Sequence, residues 1–245
     1  MEHFWFFVGI GFFAQLVDGA LGMAYGVISM TMLLNFGVSP LIASASIHFS
    51  EIFTTGVSGI SHAFFDNIDR RILIRLAIPG MMGGALGAYV LTKSPSHLVR
   101  IIILIYLILT GFFILYRAWR YRSQKKAHKH HRHAVAPLGF FGAFLDAITG
   151  GGWGTIVTSS LVALGVSPRH VVGSSNLAEF FVTLCQSFVF FVALKYITWN
   201  IVGGLLLGGI VAAPLAGYLV RIFPVRVMMF LIGTLVIVLS LVAVL

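Results

Sequence analysis

Two stretches of this chain are copies of one motif. Residues 18–51 read DGALGMAYGVISMTMLLNFGVSPLIASASIHFSE, and residues 146–179 read DAITGGGWGTIVTSSLVALGVSPRHVVGSSNLAE. A shift of 128 residues superposes them without a gap. Asp18 falls on Asp146, Gly22 on Gly150, Tyr25 on Trp153 and Gly26 on Gly154. Further on, Gly37-Val38-Ser39-Pro40 falls on Gly165-Val166-Ser167-Pro168, Ser46 on Ser174, His48 on Asn176 and Glu51 on Glu179. An ungapped coincidence of punctuation residues over this length marks an internal repeat. Each copy is apolar, interrupted by glycines, and carries one acid at each end.

The solvent of the chain follows from its composition. Hydrophobic residues make up 59% of the sequence and charged residues only 9%, where a soluble domain carries about a quarter charged residues. The chain therefore reads as an all-α integral membrane protein. Its net charge of +9 is not a nucleic-acid signal, because the cations are clustered. Arg117, Arg120, Arg122, Lys125, Lys126, Lys129 and Arg132 share one short loop, and such a run beside a membrane segment sets topology. The single Cys185 excludes an internal disulfide and speaks against thiolate metal chemistry. The start, MEHFWFFVGIGFF, has no basic n-region and does not read as a cleaved signal peptide.

Residues 4–36 are apolar but too long for one ordinary span of about 20 residues. The GALGMAYG run at 19–26 divides them into pieces of roughly 14 and 10 residues, each too short to cross at 1.5 Å rise per residue. The stretch is either one long broken helix or a re-entrant hairpin. Spans are expected at 39–64, 72–92 and 97–116. The second half repeats the plan: a glycine-broken stretch at 136–165, then spans near 168–194, 199–220 and 224–245. Pro168 and Pro224 suit helix starts. This gives a first membrane repeat at 1–116, a basic His-rich linker at 117–135 and a second repeat at 136–245.

Charge separates the two readings of the broken stretches. With both re-entrant and the basic loop 117–133 cytoplasmic, only Lys93, Arg100 and Lys195 lie outside. If both crossed fully, Arg169, Arg221 and Arg226 would move out and Lys195 in. The positive-inside rule favours re-entrant hairpins. The fold class is then two inverted repeats, each a glycine-broken re-entrant hairpin plus three transmembrane helices, a recurring transporter plan.

Asp18, Glu51, Asp146 and Glu179 lie in apolar segments, where a charge costs roughly 3 kcal/mol or more. Ser44, His48, Glu51, Thr55 and His62 form a polar stripe at helical spacing, and Ser175, Asn176, Glu179, Thr183 and Gln186 form its counterpart. The glycine runs at 22–26 and 150–154 should start half-helices, whose unpaired N–H groups and dipole make an anion site. No Lys or Arg belongs to this region. The candidate binding set is Gly22, Met23, Ala24, Tyr25, Gly26, Ser46, His48, Gly150, Gly151, Gly152, Trp153, Gly154, Ser174, Ser175 and Asn176. Glu51, Glu179, Asp18 and Asp146 are the candidates for coupling or gating. The plainer readings stand beside these: Asp18 and Asp146 as helix caps, Glu51 and Glu179 as neutral hydrogen-bonders, Tyr25 and Trp153 as packing aromatics, and His62 as a membrane-end residue. His128, His130, His131 and His133 read as a solvated basic loop rather than a metal site. No metal site and no cofactor is expected.

The LGMAYGV run, the two GVSP turns and the SASIHFSE, GGGWGT and SSNLAE segments resemble the sulfite exporter TauE/SafE family over nearly the whole chain. The resemblance implies a multi-pass transporter of the cell inner membrane for small sulfur-containing anions such as sulfite and organosulfonates. It does not account for the long His- and Lys-rich loop. One asymmetry separates the two copies: His48 stands opposite Asn176.

The first reading is thus a secondary anion transporter working by alternating access. Its partners are a small sulfite- or sulfonate-like anion and the lipid bilayer, with no nucleic acid. The glycine-rich spans permit a homodimer without requiring one. There is no GxxxxGK[ST] run for ATP. An inward-negative potential would favour anion efflux by about 2.3 kcal/mol per charge per 100 mV. A metal-cation transporter using the membrane acids is the alternative. An intramembrane enzyme built on His48 and Glu51 is weaker, since the second His of an HExxH pattern is missing.

Overall fold

The computed structural model describes residues 3–21, 23–120, 133–164, 166–194, 197–222 and 224–243. Gly22, Gly165, Lys195 and the basic loop from 121 to 132, with His128, His130 and His131, lie outside the described residues. The described chain is helical without strands. In order, the helices are α1 (Phe4–Leu21), α2 (Tyr25–Asn35), α3 (Pro40–Phe64), α4 (Arg70–Lys93), α5 (Ser96–Arg120) and α6 (Val135–Thr149). A π-helical turn (Trp153–Thr158) runs into α7 (Ser159–Ala163), followed by α8 (Pro168–Ala193), α9 (Trp199–Ile222) and α10 (Val225–Val242).

The long helices stand where spans were expected. Pro40 and Pro168 occupy the first turns of α3 and α8, where a missing N–H leaves no bond unmade. Asp69 caps α4 by accepting from the N–H groups of Arg71 and Ile72. Among the described residues Arg70–Lys93, Ser96–Arg120 and His170–Ala193 are long and apolar enough to cross a membrane. Large apolar side chains such as Ile102, Leu109, Phe112, Phe188, Val192 and Leu231 are exposed. A surface of this kind belongs in lipid, and the chain is a membrane protein.

Both glycine-rich stretches break, and the first does so later than expected. Helix α1 runs through Gly19 to Leu21, so its pieces are 18 and 11 residues long. The chain then doubles back. His3, Phe6 and Phe7 at the start of α1 meet the ring of Phe36 just past α2, with Phe6 stacked at 4.3 Å. In the second half Gly142 on α6 lies against Val157, so that stretch also returns along itself.

The packing follows the sequence repeat. The most extensive helix pairings, α1 on α9, α4 on α6, α4 on α8, α3 on α8 and α5 on α10, all join one half to the other. Under the 128-residue shift, α1 on α9 becomes α6 on α4, while α3 on α8 and α5 on α10 map onto themselves. Glycines allow the close approaches. A Cβ on Gly83 of α4 would fall on the carbonyl of Phe140, and one on Gly208 of α9 on that of Val8. Arg100, in the first turns of α5, donates to the carbonyls of Leu34 and Ala243 and so closes the ends of α2 and α10.

Candidate functional site

The two breaks meet in the interior. A Cβ on Gly26 would land on the carbonyl of Gly150 and beside Gly151, so backbone crosses backbone with no side chain between. Tyr106, midway along α5, donates to the carbonyl of Gly151 at 3.3 Å. Each break is closed by an acid from the helix before it. Asp18 accepts from the N–H of Tyr25 at 3.2 Å. Asp146 accepts from the N–H groups of Gly152 and Trp153 at 2.8 and 3.0 Å. Tyr25 and Trp153 are repeat-related, so the two caps are the same device.

These caps change the electrostatics expected of the site. Three of the half-helix N–H groups that were expected to receive an anion already bind a carboxylate. The capping role of the two aspartates and an anion seat on those same donors exclude each other. Ala24 precedes α2 at φ 122°, a conformation that L residues rarely adopt. Replacing Ala24 with glycine is expected to stabilise the purified protein by about 1 kcal/mol, the strain of such a residue, read as a higher unfolding temperature.

Beside the crossing lies a cavity of about 150 Å³, room for several waters at about 10–15 Å³ each. It is lined by Asp18, Ala24, Tyr25, Gly26, Glu51, Asp146, Gly151, Gly154, Asn176 and Glu179 from the expected set. Gln15, Gly19, Thr54, Thr55, Ser58, His62 and Val172 complete it. All four membrane acids therefore converge on one cavity. Among the described residues its lining contains no Lys or Arg. Along α3 the lining includes Glu51, Thr55 and His62 of the stripe expected from the sequence, without Ser44 and His48 and with Ser58 added, and it carries the cavity towards the far end of that helix. Glu51 Oε2 is buried without a hydrogen-bond partner among the described residues.

The other expected binding residues are placed elsewhere. Trp153 is fully buried, and its indole N–H donates to Ser175 Oγ at 2.9 Å, so both serve the packing of the π-helical turn on α8. Ser174 Oγ accepts from the N–H of Asp69 at 2.8 Å and ties α8 to the α3–α4 turn. Ser46 is buried away from the lining. Gly150 and Gly152 shape the second turn, Gly150 at φ 68°, without facing the cavity. Met23 is turned towards Arg117, whose guanidinium reaches Met23 Sδ and Ser159 Oγ. Arg117 had counted only as a loop cation. Its position one turn from the end of a long apolar helix was the signal that it could reach back inside. His48 does not line the cavity; it bonds Asp146 behind it at 3.1 Å. Among the described residues no three His, Cys, Asp or Glu side chains cluster to hold a metal.

Known proteins resemble the chain over nearly its whole length. The family model described as "Sulfite exporter TauE/SafE" matches residues 7–243. The chain is 41% identical over 233 residues to the "Probable membrane transporter protein YtnM" of Bacillus subtilis (strain 168), covering 93% of this chain and 78% of that protein. No solved structure matches. With its doubled motif, its two broken helices and its apolar exterior, the chain belongs to the sulfite exporter TauE/SafE family of membrane transporters.

Proposed function

We propose that the chain is a secondary transporter of a small anion, sulfite or a related organosulfonate, that works by alternating access in the cell inner membrane. The observation that carries the reading is the cavity where the two breaks cross, together with the family's name. In this reading the halves, 1–116 and 136–245, are inverted repeats whose hairpins are re-entrant, and the 117–133 loop is cytoplasmic. The exchange of α1–α9 with α4–α6 under the repeat shift supports that symmetry. The cavity then opens along α3 to the cytoplasmic side, where His62 stands.

The four acids set the coupling. Every fixed negative charge in a low-dielectric cavity opposes an anion, and no cation in the lining offsets it. An anion enters only if the carboxyl groups that face it hold protons, so anion and proton share the cavity. Glu51 is the leading carrier because its Oε2 has no partner to release. Asn176, Ser58, Gln15 and His62 supply donors to the anion. Glu51→Gln is expected to fold and to lose proton-coupled flux. Reconstituted vesicles with an imposed pH gradient check this, and undiminished coupled flux would reject the role.

The same four acids favour a second reading, a cation path. One measurement separates the two. The purified protein is heated with sulfite, sulfate, thiosulfate, sulfoacetate, acetate and divalent metals. A ligand that binds the native state at a hundred times its Kd stabilises it by about 2.7 kcal/mol. Stabilisation by sulfite or a sulfonate supports the anion reading. Stabilisation by metals alone, lost in Glu51→Gln with Glu179→Gln, replaces it with the cation reading.

A further inference from the structure

The 128-residue shift maps one wall of the open cavity onto a closed cluster, while Glu51 with Glu179 and Gly26 with Gly154 exchange within the cavity and Asp146 belongs to both. Val172, Asn176, Asp18, Ser58 and His62 line the cavity; their counterparts are Ser44, His48, Asp146, Gln186 and Phe190. Those counterparts touch one another. Ser44 Oγ donates to the carbonyl of Ala147 at 2.6 Å, and His48 Nε2 meets Asp146 Oδ2 at 3.1 Å. Gln186 Nε2 reaches Asp146 Oδ2 at 3.2 Å and the carbonyl of Ala143 at 3.1 Å. The Phe190 ring closes over His48 with centroids 5.9 Å apart. Ala143 and Ala147 themselves correspond to Gln15 and Gly19, which line the cavity. His48, Gln186, Ser44 and Phe190 are all fully buried. One half of the molecule holds open what the other holds shut.

We propose that this cluster is the closed gate of the transport path, on the side opposite the cavity, and that one proton shared by His48 and Asp146 latches it. The proposal rests on the transporter reading. The latch follows from hydrogen-bond chemistry. His48 Nδ1 lies 2.7 Å from the carbonyl of Ser44. A carbonyl only accepts, so Nδ1 carries a hydrogen. The His48–Asp146 contact then exists only with a second hydrogen, on Nε2 or on Oδ2. Either placement leaves the pair neutral overall. Removing that proton to water entering from the gate side leaves a ring lone pair facing a carboxylate, and the contact becomes repulsive. Closing the gate takes the proton back.

Among the described residues no Lys or Arg pairs with Asp146 to take the place of that proton. Besides His48, the titratable groups among the described residues whose charge acts on Asp146 are Glu51 on α3, Glu179 on α8 and Tyr106 on α5, none of them cationic. The cations of α5 are engaged elsewhere, Arg100 with the carbonyls of Leu34 and Ala243 and Arg117 with Met23 and Ser159. The cavity side has no equivalent latch. Asn176, which replaces His48 there, carries no exchangeable charge and bonds Ser58 at 2.8 Å. A proton-latched gate facing an unlatched one is a physical reason for the chain to rest open along α3.

The test reads water access at repeat-related positions and needs no substrate. Thr55 lines the cavity, whereas its counterpart Thr183 is fully buried and lies outside the lining. Thr55→Cys and Thr183→Cys are made separately in full-length protein carrying Cys185→Ser, in membranes, and labelled with an impermeant thiol reagent from each side. Thr55→Cys is expected to label from one side and Thr183→Cys to be protected. Adding His48→Asn, which makes the two halves alike, is expected to raise the labelling of Thr183→Cys from the opposite side by about tenfold or more, the weight of one charge-assisted bond. Alkaline pH should do the same with His48 intact, after normalising to Thr55→Cys for thiol ionisation. Gln186→Leu provides a second route to a weakened latch if His48→Asn does not fold. Unchanged protection of Thr183→Cys under all three conditions overturns the gate. Release by the substitutions but not by pH overturns the shared proton. If Thr55→Cys is itself unreactive from both sides, it is the cavity and the transporter reading that fail.

Discussion

Asp146→Ala is expected to be the most destabilising single change in the second hairpin, and Asp18→Ala, its repeat-related counterpart, a mild one. Asp146 bonds four buried groups: it accepts from the N–H groups of Gly152 and Trp153 and from Gln186 Nε2, and it shares a hydrogen with His48 Nε2. Removing the carboxyl strands all four, and each unsatisfied buried polar group costs about 1–3 kcal/mol. Relaxation will recover part of that sum, so a loss of about 3–5 kcal/mol is expected, as for breaking a buried pair. Asp18 accepts from the N–H of Tyr25, and its loss resembles removal of a helix cap, about 1 kcal/mol. Thermal unfolding of both variants in the same detergent checks the contrast. Equal losses would mean that the extra bonds of Asp146 contribute nothing to stability.

Gly26→Ala is expected to cost about 1–3 kcal/mol or more and to abolish stabilisation by any cavity ligand. The added Cβ would meet the Gly150 carbonyl and Gly151 Cα. Backbone cannot step aside by changing rotamer, so the two breaks must separate, and the cavity they frame changes shape. Gly9→Ala is the control. Nothing lies within 4 Å of a Cβ there, and alanine gains about 0.5–1 kcal/mol over glycine inside a helix. Ligand-dependent unfolding of the two variants decides the matter. A ligand response retained in Gly26→Ala would separate the crossing from the binding site.

Much of this was legible in the sequence because membrane helices are long, and their ends carry Pro, Gly or charge. Helix α8 begins at Pro168 as expected, and α3 begins at Pro40, one residue inside the stretch expected at 39–64. The convergence of Asp18, Glu51, Asp146 and Glu179 was legible from the cost of isolated acids in apolar segments. What a single acid binds was not. Whether Asp146 faces a ligand or caps the turn after it depends on where the chain reverses, and glycine runs mark a reversal only to within a few residues. Helix α1 passed through Gly19, and the unusual backbone fell on Ala24 rather than on a glycine. Serines misled for a related reason. Ser174 and Ser175 adjoin Asn176 in sequence, yet a helix turns 100° per residue, and those two hydroxyls meet Asp69 and Trp153 instead. His48 was singled out by its place one turn from Glu51, but its partner, Asp146, lies across the repeat, beyond the reach of local spacing.

The crosswise pairing of the halves constrains how the protein is made. Helix α1 leaves the ribosome well before its main partner, α9, which follows only after α2 to α8 have been synthesised. The face of α3 that holds Glu51 likewise waits for α8. The amino-terminal half therefore enters the bilayer with its polar stripe unmatched and assembles late, by contacts distant in sequence, which form slowly. Biogenesis becomes a race between completion of translation and capture of the orphaned half by membrane quality control.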